Sequence, residues 1–233
     1  MKAVYKLLIF IILFLTMIVV SITANINNNN RDYEGIVVNY PKQSYFNKHL
    51  YVENLIQNQH YTALLKEGLF NTIENSISST PGIQKAEVYK LYNGNIIIDI
   101  YDRKPLAFKN QDSRFFIDEN SNLIKDDSLK LELPIVSANT SQKDINEIVK
   151  IILEINKDKY LEAQVQSFWV EDEQIFTNLK SFDFNVKIGN SYKIKEKMKK
   201  LKAYCAYYNK DSSNLNFNQI DLTYNNQLVA IKN

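Results

Sequence analysis

With 5 glycines and 4 prolines in 233 residues, the chain has little of the material from which phosphate-cradling loops are built. Neither a G-x-G-x-x-G nor a Walker-type loop is present, so nucleotide chemistry has no foothold and no cofactor motif can be placed. The single cysteine, Cys205, has no internal disulfide partner, which is compatible with an oxidising compartment without demonstrating one. His49 and His60 are the only histidines. Neither has a Cys or His companion at ligand spacing, which leaves no metal site to predict. A G-x-S-x-G turn is also missing, so a serine nucleophile would have no strained elbow to sit on. The formal net charge is +2, which supplies no electrostatic footprint for nucleic acid. No internal repeat of solenoid or propeller period occurs.

What is present is, first, a long apolar run. Lys2 and Lys6 precede a stretch from Leu7 to Thr23 without a charge, in which only Thr16, Ser21 and Thr23 are polar. As a helix it spans roughly 26 Å, about one thin hydrocarbon core. The run is longer than the apolar region of a cleaved signal and lacks a small-x-small site, which favours a retained anchor. Lys2 and Lys6 before the span and an uncharged Asn-rich stretch after it place the N-terminus in the cytoplasm and the bulk on the far side. The expected order is a cytoplasmic tail over 1–6, a transmembrane helix over 7–23 and a linker over 24–34.

The remainder reads as α+β in two domains, 35–109 and 110–233. In the first, "GIVVNY" has strand character, while "KHLYVENLIQN" and "GLFNTIENSISS" carry apolar residues at helical spacing. The second of these helices should stop at Pro81-Gly82. Two strands then flank Asn93-Gly94, a type I′ hairpin signal, with Ile96, Ile98 and Ile100 on one face. The second domain reads as a mixed sheet with two helices. It comprises a hairpin turning through Glu119–Asn122, the short strand "LPIVS", and a helix capped by Ser141 with Ile145, Ile148, Ile152 and Ile155 on one side. A hairpin turning at Glu171–Glu173 follows, then the strand "FNVKIG" and a helix over 191–209 whose apolar stripe is Ile194, Met198, Leu201, Cys205 and Tyr208. On such a stripe Cys205 is inert packing. The final hairpin turns at Asn225-Asn226.

Two polar clusters require weighing. Asp118 and Glu119, with Glu171, Asp172 and Glu173, supply the carboxylates that an envelope hydrolase acting on cell-wall glycan would need. Both clusters fall where the apolar alternation breaks, the position of turn residues. Lys193, Lys195, Lys197, Lys199, Lys200 and Lys202 form the one dense basic run. A solvated helix face opposite the stripe accounts for it, with attraction to anionic lipid or an acidic partner as the sharper alternative.

Several short motifs, weak singly, recur here in a specific order. They are Pro81 and Ile83 at a helix-to-strand corner, Val88, Gly94 with the alternating isoleucines, and "DRKPLAF" with Arg103, Pro105 and Ala107. "FFIDENSNLI", Leu133-Pro134 and the terminal "IDLTYNNQLVAIKN" complete the series. In this the chain resembles the FtsQ/DivIB family of bacterial cell-division proteins, in the form found in Bacteroidetes-type bacteria. Departures are Asn122 where Gly is usual, Gly82 without the common aromatic, and Thr223 where Arg is frequent. The resemblance implies a POTRA-like domain over 35–109 that recruits divisome components, and an FtsQ-type β domain over 110–233. It further implies a non-enzymatic, single-pass inner-membrane scaffold at the septum, binding FtsB/DivIC- and FtsL-like partners. The partner-binding residues it marks are Asp221, Leu222, Thr223, Tyr224, Gln227, Leu228, Val229, Ala230 and Ile231, where a partner segment adds to the sheet. By alternation Ile220, Leu222 and Tyr224 face the core, Asp221 and Thr223 the other side. Across the turn Leu228 and Ala230 alternate with Val229 and Ile231. Such an edge, with only Asp221 and Lys232 charged, is poorly defended against pairing.

Overall fold

The computed structural model describes residues 2–29, 35–42, 44–46, 49–110, 115–125, 131–210 and 217–232. Met1 of the expected tail, residues 30–34 of the expected linker, Lys48 of the first expected helix, Arg114 and Asn233 lie outside them, as does the side chain of His49.

Helix α1 runs from Lys2 to Asn29, and its apolar stretch Tyr5–Ile26 has a mean hydropathy of 3.0 with every side chain exposed. At about 1.5 Å per residue this stretch is long enough for a hydrocarbon core. The Thr16 and Thr23 hydroxyls donate to Leu13 O (2.8 Å) and Val19 O (2.9 Å), so even the polar side chains are satisfied within the helix. The helix continues through 24–29, which the sequence reading had placed in the linker. Ala24 and Ile26 extend it without a Pro or Gly to stop it.

The rest divides into two units, the second comprising Tyr45–Asn47 and Arg103–Asn233. In the first unit β1 (Ile36–Asn39) pairs in parallel with β3 (Ile96–Asp102), which pairs antiparallel with β2 (Ile83–Lys90). Three helices pack on one face: α2 (His49–Gln57), α3 (Gln59–Lys66) and α4 (Phe70–Ser78). Their Val52, Ile56, Leu65, Ile73 and Ile77 bury against Ile96, Ile98 and Ile100, the face expected from the alternation. α3 is an addition to the two expected helices. It begins because Asn58 Oδ1 accepts from His60 N at 2.9 Å, a side-chain cap that restarts the helix after a break. The hairpin before β3 is a three-residue loop rather than type I′. Leu91 N donates to Asn95 O (2.8 Å), and only Gly94 takes a positive φ of 91° while Asn93 does not. That is a type I turn closed by a left-handed residue.

Residues 103–109 belong to the second unit, not the first as the sequence boundary had it. β4 (Pro105–Lys109) pairs with β5 (Phe115–Asp118) and with β7 (Ile135–Val136). Its Leu106 and Ala107 enter this unit's core, and Phe108 joins Phe46 and Phe116 in a small aromatic cluster. The remaining strands are β6 (Leu123–Lys125), β8 (Val165–Glu171), β9 (Gln174–Leu179), β10 (Asn185–Gly189), β11 (Gln219–Asp221) and β12 (Val229–Ile231). Together they form a nine-stranded sheet of order β12-β11-β10-β9-β8-β7-β4-β5-β6. α5 (Gln142–Ile155) and α7 (Ile194–Tyr208) are the two expected helices, and a short α6 (Lys159–Gln164), which Asp158 caps by accepting from Tyr160 N and Leu161 N, follows α5 directly. Ser141 caps α5 by accepting from Asp144 N. The stripes Ile145/Ile148/Ile152/Ile155 and Met198/Leu201/Cys205 bury on one sheet face against Phe168, Ile175, Val186, Ile188 and Ile220. The fold is thus α+β, with one apolar N-terminal helix and a large mixed sheet.

Candidate docking edge

β12 is the outermost strand of the sheet. Among the described residues it pairs with β11 alone, antiparallel, through Gln219↔Ile231, Ile220↔Ala230 and Asp221↔Val229, and its other side has no strand beside it. β11 in turn lies parallel to β10, and α7 makes the crossover between them. The expected core assignment holds at Ile220 and Leu222, both fully buried, and Leu228 and Ala230 pack against the same core. Val229 is half-buried and Ile231 exposed.

The structure corrects three features of this segment. β11 ends at Asp221, so Tyr224, placed in the core by alternation, is 50% exposed. Asp221, expected on the open face, is only 6% exposed. Its Oδ1 accepts from Thr223 N (2.8 Å) and Thr223 Oγ1 (2.6 Å), and Lys187 Nζ lies 3.9 Å from Oδ2. A carboxylate so supplied with donors is buried without an unmet charge. The tight Asn225-Asn226 turn gives way to a loop over 222–228. Neither asparagine takes the positive φ that a type I′ turn requires.

The loop is held from below by α7. Lys200 Nζ donates to Leu222 O (3.4 Å), Tyr224 O (2.6 Å) and Gln227 O (3.1 Å). One turn earlier Lys197, 6% exposed, donates to Ile188 O (2.8 Å), Asn190 O (2.9 Å) and Asn190 Oδ1 (3.4 Å). Burial, then the Lys200 charge, push the Lys197 ammonium below its usual 10.5. The solvated lysine face read from the sequence therefore fails at two positions. The missed signal was spacing: Lys197 sits three residues after Ile194 and four before Leu201, on the apolar stripe itself. A cavity of about 300 Å³ opens beside these groups, lined by Lys193, Lys197, Lys200, Tyr192, Thr223 and Tyr224 among others.

Glu147 of α5 anchors the entry to α7. It accepts from Lys150 Nζ (2.6 Å), Ser191 Oγ (2.5 Å) and Ser191 N (3.1 Å), and these donors, Lys150 first, hold its carboxyl from 4.5 down to about 2. A depressed carboxyl stabilises the fold above its unfolded pKa and ceases to do so as pH falls through the folded one. The stability gap between wild type and Glu147→Gln should therefore be full at pH 7. It should narrow below about pH 4.5 and close near pH 2. Urea titrations at three pH values measure it.

The carboxylates of the hydrolase reading do not converge into a site. Asp118 is fully buried, and its oxygens accept from Arg103 Nη1 (2.7 Å), Asn120 N (2.9 Å), Asn122 N (2.7 Å) and Asn122 Nδ2 (3.1 Å). Asp172 and Glu173 both take positive φ, 48° and 59°, which makes them the centre of a type I′ turn between β8 and β9. Burial pushes the Cys205 thiol up to about 11, as suits an inert packing residue. Among the described residues no group of three His, Cys, Asp or Glu side chains is placed to hold a metal ion.

A single apolar N-terminal helix, a separate small α+β unit and a nine-stranded sheet with an open terminal edge fit a single-pass membrane protein. The model of the FtsQ/DivIB, C-terminal related family matches residues 104–231, more than half of the chain. The chain belongs to this family of cell-division proteins. Among solved structures it is similar to the major extracytoplasmic domain of the trans isomer of the cell-division protein DivIB from Geobacillus stearothermophilus. Identity is 16%, the match covers 49% of this chain and 98% of that one, and the TM-score is 0.32. No curated protein sequence matches the chain.

Proposed function

We propose that the chain is a non-enzymatic divisome scaffold whose β12 edge receives a strand from an FtsB/DivIC-type partner, itself paired with an FtsL-type protein. The observation that carries this reading is the open edge. β12 is half-exposed, apolar, paired on one side only among the described residues, and backed by a buried core. Strand addition to such an edge draws affinity from backbone hydrogen bonds and specificity from alternate side chains, here Val229 and Ile231. Family membership implies a role in cell division, and the family is one of generally non-catalytic proteins. In this reading α1 crosses the inner membrane with its N-terminus in the cytoplasm. The POTRA-like first unit recruits further divisome components, and the protein collects at the septum.

The test is photocrosslinking in intact cells with a benzophenone residue at Thr223 or Val229. Recovery of a small coiled-coil membrane protein from both positions is the expected result. Normal septation after depletion of the chain would sink the division role.

A further inference from the structure

We propose that Lys200 is a positioning residue for the docking edge: it gathers three loop carbonyls and so fixes the conformation in which β12 is presented. The inference deepens the docking reading and rests on it for its function, though not for its structural part.

Loop 222–228 is the only covalent link from β11 to β12, and β12 is three residues long. A strand that short, paired on one side, has little of its own to set its register. The loop has no Pro or Gly and no positive-φ residue to stiffen it. Its polar anchors are Leu222 N on Lys187 O (2.9 Å), the Thr223–Asp221 bonds and the Lys200 ammonium beneath it, while Leu222 and Leu228 pack on the core at its two ends. Lys200 meets Leu222 O, Tyr224 O and Gln227 O, so all three of its donors have an acceptor in this one loop. Two of those carbonyls lie on either side of Asn225-Asn226, and the third opens the loop. Their dipoles converge on one point, where they would repel one another without a cation. Lys197 does the same for the Ile188–Asn190 corner, so two successive turns of α7 hold the ends of β10 and β11. A Cβ added at Gly189 would stand 2.9 Å from Thr223 Cγ2, so the corner beside Lys197 leaves the loop little room to shift on that side.

The test compares full-length wild type, Lys200→Met and Lys200→Arg. Methionine keeps an unbranched apolar stem without donors, and arginine restores donors on a cation. Hydrogen exchange is read first, without any partner. The 219–232 amides should exchange faster in Lys200→Met by about tenfold or more, the factor carried by loss of one charge-assisted hydrogen bond. The amides of α5 and β8 should be unchanged, and Lys200→Arg should recover most of the protection. Crosslinking from a benzophenone residue at Val229 in cells is read second, and its yield should fall with Lys200→Met and return with Lys200→Arg. Unchanged exchange at 219–232 overturns the proposal, as does wild-type capture by a chain whose β12 has loosened. If wild type captures nothing while Lys200→Met still loosens β12, the positioning role stands and only the docking reading falls.

Discussion

Asp118→Ala is expected to destabilise the second unit by about 3–5 kcal/mol, the range for removing one partner of a buried ion pair. The carboxylate is fully enclosed and the Arg103 side chain it binds is 20% exposed. Alanine would remove the Asp118 acceptor from that guanidinium and from the Asn120 and Asn122 amides, and each buried donor that loses a bond carries a desolvation cost. Asp118→Asn retains an acceptor oxygen for the loop amides but removes the charge, so it should recover part of the loss. Urea unfolding with an unchanged m-value would measure both. A loss below about 1 kcal/mol for the alanine variant would mean that the ion pair behaves as a solvent-exposed one. The same pair unites two motifs that carried the family resemblance. Arg103 of "DRKPLAF" and Asp118 of "FFIDENSNLI" are the two ends of one buried contact, formed where β4 and β5 pair. Chemistry is thus not required to explain either residue.

The second large effect is expected at β12, from Val229→Pro and Ala230→Pro made separately. Successive backbone N–H groups of a strand point to opposite sides, so one faces β11 and the other the open edge. Proline at the inward position removes a ladder bond and should cost about 1–3 kcal/mol through the unmet acceptor. Proline at the outward position is the kind that edge strands tolerate, so stability should stay within about 0.5 kcal/mol of wild type. That fold-neutral variant should nevertheless lose partner capture by about tenfold or more and give filamentous cells, because it withdraws a donor from the incoming strand. Chemical denaturation identifies which variant is which, and crosslinking yield with cell length supplies the readout. Normal capture and normal division in the fold-neutral variant would remove β12 as the docking strand.

Much of this architecture was legible because its period is strong. Ile96, Ile98 and Ile100 alternate cleanly, and Ile145, Ile148, Ile152 and Ile155 keep helical spacing behind a serine cap. The short helices α3 and α6 were not legible, since 8 and 6 residues give too few turns for a period to emerge and their starts depend on Asn58 and Asp158 caps. The domain boundary was misplaced because 103–109 follows β3 directly and differs from it only in which strand it pairs with, a long-range choice. At the candidate docking edge, alternation placed Ile220 and Leu222 in the core correctly and failed at Tyr224. There a helix lysine distant in sequence draws the loop carbonyls away from strand geometry. Lys197 was hidden by its charge, although its spacing placed it on the buried stripe.

The parallel pairing of β10 with β11 has a consequence for the order of folding. A parallel pair cannot close as a local hairpin, so β11 reaches β10 only across the α7 crossover, and the local β11–β12 pair joins the sheet through that long-range contact. The strand proposed to receive a partner therefore takes its place in the sheet only when β11 has docked on β10. Under the proposed strand addition, recruitment through β12 would favour chains in which that contact has formed.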